Sequence, residues 1–284
     1  MANTLSVKTY RDKYRLKKLD ILLRKALVAE KIAIVDRSGL KTLQNPYGST
    51  PTVTVQAIAG TYSVADYTTT DDTLTVADEF IVAEHVFDFE QTLTNFDLFD
   101  DRFDNQAYAV AQSIDSFVLN SFALGATGAY TTPAGGFTTP ANINVILANL
   151  SSQVMGYADA YKGMFLVIEN TDVVGFMQAQ MTQGFSYADA ALNNGFMTAM
   201  AGIEIYVVRT GTFVSATVGT KTFANASARL FGIKQTATYA EPQGVKFEEK
   251  GVSGKTGKEV VTFGYIGAKV WATKAALMVK ITLA

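Results

Sequence analysis

Residues 97–123 read DLFDDRFDNQAYAVAQSIDSFVLNSFA, and this stretch decides the fold. Phe99, Phe103, Ala107, Val110, Ala111, Ile114, Phe117, Val118 and Phe122 recur in it at steps of three and four. That period places them on one side of a helix, so the spacing predicts a helix over 97–123 with a broad aromatic face. Asp97, Asp100, Asp101 and Asp104 crowd its first turns, where the unpaired N–H groups favour anions. Gly125 and Gly128 close it. At 1.5 Å per residue the rod is roughly 40 Å long.

Upstream, the period changes. Val53, Val55 and Ala57 alternate with Thr52, Thr54 and Gln56, and Leu74, Val76, Phe80 and Val82 alternate with threonines and Ile81. The pattern predicts a long β-hairpin with a polar tip around Thr68–Asp72. A two-stranded ribbon has little core and is marginal in water unless something covers it. Before it, Leu16, Leu19, Leu22, Leu23, Ala26 and Leu27 predict an amphipathic helix over roughly 8–31, and Asn45-Pro46-Tyr47-Gly48 then breaks the chain.

Downstream, Pro140 is placed as a first helical residue, followed by Ile143, Ile146, Leu147, Leu150 and Val154. Met164–Ile168, Gly202–Val208, Arg229–Ile233 and Val245–Phe247 read as strands. Thr171-Asp172 caps a short helix through Met181, and 259–283 reads as two strands. Helices and strands mix throughout, so the class is α+β.

Composition narrows the chemistry. The 284 residues are 48% hydrophobic, enough for a substantial core, and only 18% charged. Cys is absent and His85 is the lone histidine. Thiolate metal sites, disulfide scaffolds, cysteine nucleophiles and two-histidine zinc motifs are excluded. The start, MANTLSVKTYRDKYRL, lacks the apolar run of a secretory signal, and no run of eighteen apolar residues exists. The expectation is a protein made in a cytosol, with no membrane partner, and the sequons at Asn149 and Asn225 are read as chance.

The net charge of −2 hides two blocks. Residues 1–31 carry nine basic and three acidic side chains, a net of +6, while 42–101 hold no Lys or Arg. From Asp66 to Asp104 there are twelve acids and one base, a net of −11. These are either two solvated faces, or one copy's basic arm lies on another copy's acidic region.

Three motifs invite catalytic readings. Asp100-Asp101-Arg102-Phe103-Asp104 matches DDxxD, in which carboxylates one turn apart hold magnesium on a diphosphate. Its surroundings are β-rich and free of lysine, so helix-start acids are the plain reading. Gly251-Val252-Ser253-Gly254-Lys255-Thr256 is close to a phosphate-binding loop, but Glu249 stands where the first glycine belongs and would repel phosphate. A flexible hairpin turn is expected instead. His85, between Glu84 and Val86, reads as a structural strand residue. No cofactor, metal or catalytic set is expected, and the chain is not read as an enzyme.

The order of parts resembles the major capsid protein of tailed bacteriophages, the Johnson fold shared with herpesvirus shell floors and encapsulins. Phe80-Ile81-Val82-Ala83-Glu84-His85-Val86-Phe87-Asp88 leads into the helix ending Ser113-Ile114-Asp115-Ser116-Phe117-Val118-Leu119, as that family's hairpin leads into its spine helix. Ala201-Gly202-Ile203-Glu204-Ile205-Tyr206-Val207-Val208 resembles the family's glycine-led strand, and Ala228-Arg229-Leu230-Phe231-Gly232 falls where a later strand is expected. The resemblance implies an N-terminal arm (1–41), an extended hairpin or E-loop (42–90), a peripheral domain with the spine helix (91–139 and 251–284) and an axial domain (140–250).

It further implies a structural protein that self-assembles through hexamers and pentamers into the icosahedral shell of a virion, assembled in the host cytoplasm and enclosing double-stranded DNA. Some members weld the shell through an E-loop lysine. With no lysine in 42–101, noncovalent stabilisation is expected, helped by cement proteins. Only about 41 residues precede the hairpin, so a separate scaffold protein is expected beside the portal. The alternatives are an encapsulin-like compartment shell and a magnesium-dependent diphosphate enzyme built on Asp100, Asp101 and Asp104.

Overall fold

Strands from both ends of the chain meet the long aromatic helix. The computed structural model describes residues 27–49, 53, 55, 66–86, 98–182, 196–200, 202–251 and 256–284. In chain order these begin with a one-turn helix α1 (Ala29–Ile32) and strands β1 (Ile34–Asp36), β2 (Thr42–Gln44), β3 (Tyr47–Gly48), β4 (Thr69–Thr70), β5 (Thr73–Thr75) and β6 (Asp78–Val86). Helix α2 (Leu98–Gly125), β7 (Gly128–Thr131), α3 (Pro140–Val154), β8 (Met164–Glu169), α4 (Val173–Thr182), β9 (Phe196–Met200) and β10 (Ile203–Val208) follow. The chain then runs through β11 (Thr217–Val218), β12 (Lys221–Thr222), β13 (Ala228–Ile233), β14 (Ala237–Ala240), β15 (Lys246–Gly251), β16 (Lys258–Val270) and β17 (Met278–Thr282).

Helix α2 has 28 residues, about 42 Å at the standard rise. Ala107, Val110, Ala111, Ile114, Val118 and Phe122 on it are at most 3% exposed, as their spacing predicts. They pack on Phe80 of β6, Ile266 and Ala268 of β16, and Phe165, Leu230 and Met278. Each of the larger side chains among them contributes about 1.5–3 kcal/mol by leaving water.

A six-stranded sheet, ordered β7-β17-β13-β8-β10-β9, forms the middle layer. Its β8 and β10 run parallel, and β13 lies antiparallel to both β8 and β17. One face meets the α2 core through Phe165, Val167 and Leu230. The other meets α3 and α4 through Leu166, Ile168, Phe231 and Ile281. With both faces covered, all six residues of β8 and of β13 are buried, and apart from Glu169 and Arg229, which pair with each other, they are apolar. Gly175 lets α4 come down onto the 3-10 turn Gly136–Thr138 ahead of α3: a Cβ there would stand 2.0 Å from the Phe137 carbonyl oxygen.

The second sheet runs β1-β14-β16-β15, with β6 on the other edge of β16. The alternation in 78–86 does mark a strand, but its partner is β16, with Asp78 opposite Ile266 and Val86 opposite Lys258. Alternation reports two unlike faces and carries no information on which strand lies alongside.

The extended hairpin is present at its root. Thr42–Gln44 pair with Thr73–Thr75, and Tyr47–Gly48 with Thr69–Thr70. The expectation of a polar tip at Thr68–Asp72 is therefore corrected. Thr69 and Thr70 are strand residues, and Asp72 is buried, its Oδ2 accepting from Ala272 N at 2.7 Å while it pairs with Lys269. Of these residues only Asp72 is buried, and it satisfies a corner rather than marks a turn. Residues 51–65 lie outside the described residues, apart from Val53 and Val55.

Two other readings change. The helix expected over 8–31 falls outside the described residues up to 26, and within them only 29–32 is helical. Between β16 and β17 a 3-10 segment spans Ala272–Leu277, so the last strand starts at Met278 and not near Val270. Strands β7 and β14 went unread. The first lies in a stretch expected to be loop, and the second is only four residues long.

Candidate functional site

The residues with catalytic resemblances sit on α2, on β6 and between β15 and β16. Asp100, Asp101 and Asp104 lie in the first two turns of α2, as helix-start acids do. Among the described residues no group of three His, Asp or Glu side chains stands close enough to hold a metal ion. The Gly251–Thr256 stretch joins β15 to β16, and its residues 252–255 lie outside the described residues. His85 sits half-buried in β6, in register with Glu259. No described helix is long and apolar enough to cross a membrane.

The surface offers more. Helices α3 and α4 lie side by side over the sheet, and neither contains a charged residue. Outward positions of surface helices ordinarily carry Lys and Glu. Here they carry Asn144, Val145, Asn149 and Ser152 on α3, with Val174 and Met177, 59% and 38% exposed, on α4. Met155 and Tyr157 continue the patch, at 62% and 47%. Depletion of charge with enrichment in Met and Tyr is the composition of an interface core.

Edge strand β15, by contrast, bears Lys246, Glu248, Glu249 and Lys250. Charges on an edge discourage uncontrolled strand pairing. The hairpin presents a third kind of surface. Its root is tied down by Leu74 and Val76 against Ala240 and Trp271. Beyond that root, Val53 and Val55 are 86% and 95% exposed. Bare valines suit a surface covered by another molecule.

Buried polar joints hold these surfaces at fixed angles. Ser116 Oγ and Asn120 Nδ2 both donate to the Thr212 carbonyl, at 2.7 and 2.8 Å. Asn120 Oδ1 accepts from Val214 N and Asn225 Nδ2. Lys221 donates to Ser121 Oγ and the Ala268 carbonyl, its ammonium 5.1 Å from the Phe117 ring centre, and burial lowers its pKa. Arg229, 3% exposed, pairs with Glu169 at 3.1 Å and Asp172 at 2.5 Å. Glu169 Oε1 also accepts from Gly211 N and Phe213 N, tying β8 to the loop after β10.

The sequence reading passed over Asp115. It sits on α2 at 7% exposure and accepts from the backbone N–H groups of Val28 and Ala29. Burial pushes its carboxyl up to about 7, against the pull of those two bonds and of Lys31. A signal existed, because Asp115 is the only charged residue between Asp104 and Asp159.

No protein-family model matches the sequence, and no curated protein does. Solved structures do match. The capsid structure of the cyanophage P-SCSP1u aligns over 91% of this chain and 88% of that one, with TM-score 0.69 and 16% identity. The chain has a phage capsid fold. The same capsid fold aligns with a structure of Mycobacterium phage Che8 at TM-score 0.70 and 15% identity, covering 90% of each chain. A virus-like particle from Pyrococcus furiosus aligns at TM-score 0.61 and 11% identity, over 94% of this chain and 98% of that one. At such identities the capsid fold is carried by the order and packing of elements rather than by motifs.

Proposed function

We propose that this chain is a major capsid protein, a structural subunit that self-assembles into the icosahedral shell around the double-stranded DNA genome of a tailed phage. The observation that carries the reading is the likeness to capsid subunits over 91% of the chain. The uncharged α3–α4 face and the bare hairpin valines support it, since both are surfaces that sister copies would cover. Obligate interfaces of this kind commonly exceed about 2,000 Å², and in a closed shell many modest contacts add.

In this reading residues 1–41 are the arm, 42–90 the E-loop, 91–139 with 251–284 the peripheral domain and 140–250 the axial domain. The role is architectural and not enzymatic. Its partners are copies of itself in hexamers and pentamers, with a separate scaffold, a portal and cement proteins, and DNA met non-specifically. The place of work is the virion shell, assembled in host cytoplasm. An encapsulin-like compartment shell is the second reading.

Negative-stain microscopy of the purified chain, alone and with a co-expressed scaffold, tests both. Closed shells that require scaffold support the phage reading, and shells that form alone around a protein cargo support the second. A monomer under every condition overturns both.

A further inference from the structure

The hairpin root, where β2 pairs with β5, lies between two buried carboxylates. Asp72 and Asp78 flank β5 and are 7% and 6% exposed. Asp72 Oδ2 accepts from Ala272 N at 2.7 Å, and its Oδ1 pairs with Lys269, whose ammonium also donates to the Thr73 carbonyl at 2.6 Å. Asp78 Oδ1 accepts from Thr220 N at 2.6 Å and its Oδ2 from Thr220 Oγ1 at 3.0 Å. Each carboxylate is thus held by one backbone and one side-chain donor, and bonds to an ionised acceptor are about twice as strong as neutral ones.

The two anchors belong to different supports. Lys269 is in β16, and Ala272 opens the 3-10 segment after it. Thr220 lies in the two-residue turn Gly219-Thr220 between β11 and β12. Gly219, at a φ of +58°, lets that turn close on Asp78, since a Cβ there would stand 2.2 Å from Asp78 Oδ1. The next residue, Lys221, ties the same turn to Ser121 of α2 and Ala268 of β16. Between the anchors Leu74 and Val76 pack on Ala240 and Trp271, and Val76 N donates to the Lys41 carbonyl at 2.8 Å.

We propose that Asp72 and Asp78 are a pair of positioning residues that stop the hairpin from swinging: each pins one end of β5 to a different support. One pin alone would leave a pivot. Two leave rotation only about the strand itself, which its pairing with β2 prevents. The apolar contacts of Leu74 and Val76 hold the root down but do not aim it, because burial is non-directional while hydrogen bonds are directional. The carboxylates therefore set the angle at which the hairpin leaves the body. In the shell reading that angle presents the limb to a sister copy. The pins themselves lie within one chain, so they are testable whether or not the chain forms shells.

The chain has no cysteine, so Thr69→Cys on β4 and Tyr108→Cys on α2, both exposed, each take a spin label. Double electron–electron resonance on the full-length chain, diluted with unlabelled chain, should give one narrow distance. Asp72→Ala or Asp78→Ala should broaden it. Hydrogen–deuterium exchange of peptides covering 42–44 and 73–75 should rise on the order of tenfold to a hundredfold in the same variants, with β8 unchanged. A distance already broad in the parent overturns the proposal, as do variants as narrow as the parent. Broadening with an equal rise in β8 exchange is general loosening and overturns it too. Should either alanine variant fail to fold, Lys269→Met and Thr220→Val, which each remove one partner of a carboxylate, take its place: broadening supports the pins, and an unchanged distance refutes them.

Discussion

Replacing Arg229 with Met should unfold the centre of the molecule more than any loss of packing can account for. Methionine fills much of the same volume, so little cavity forms. What is lost is the cation between Glu169 and Asp172, its two ion pairs at 3.1 and 2.5 Å and its bond to the Ala228 carbonyl. Both carboxylates stay within 7% side-chain exposure. Glu169 keeps Gly211 N and Phe213 N, and Asp172 Oδ2 keeps Glu169 N, so neither is wholly abandoned. Breaking a buried pair from one side typically costs about 3–5 kcal/mol. In a chain of this size that is a fall in Tm of roughly 6–20 °C.

The assay is calorimetry with urea unfolding at pH 7.5. The deficit should shrink in the triple variant R229M/E169Q/D172N, which removes the charges together. A loss below about 1 kcal/mol, well short of the usual buried-pair cost, would refute the argument. So would a triple variant that recovers none of the loss.

Four further outcomes are expected. Asn120→Ala should cost about 1–3 kcal/mol in urea unfolding, because the buried Val214 N–H and Asn225 amide lose their shared acceptor. Gly175→Ala should cost more than about 1–3 kcal/mol, the usual overpacking range, because its Cβ meets backbone and not a movable side chain; soluble yield and thermal melts check this. The double variant V174E/M177E should melt within about 0.5 kcal/mol of the parent, as exposed substitutions do, yet form no shells by light scattering and microscopy. Asp115 raised to about 7 makes the folded chain hold a proton that the unfolded chain releases near 3.8. Stability should therefore fall as pH rises between those values, by up to about 4 kcal/mol, and Asp115→Asn should flatten that slope in denaturation midpoints.

Local periodicity was a dependable guide wherever one element met one uniform partner. The α2 stripe is legible because the helix buries the same side from Ala107 to Phe122. Runs such as Met164–Ile168 are legible because both faces of that strand are covered. Strand β14, ATYA, left no mark because four residues are too few for a period to emerge. The threonine-rich turn reading at 68–72 failed because Thr and Asp serve equally well in turns and in satisfied corners, and Lys269 and Ala272, some two hundred residues away, decide which. The catalytic look-alikes are ambiguous for a related reason. DDxxD is also what a helix start prefers, and spacing alone does not distinguish ion from dipole.

By itself the sequence determined the α+β class, the long aromatic helix, the order of elements and the scarcity of charge from Asn105 to Ala158. Those properties are written in neighbours three, four or two positions apart. Tertiary structure alone decided that 78–86 joins 258–266, that Arg229 sits between two acids, and that Asp115 grips the amides of residues 28 and 29. Such pairings are set by which surfaces exclude water together across great stretches of chain, and no local pattern encodes them.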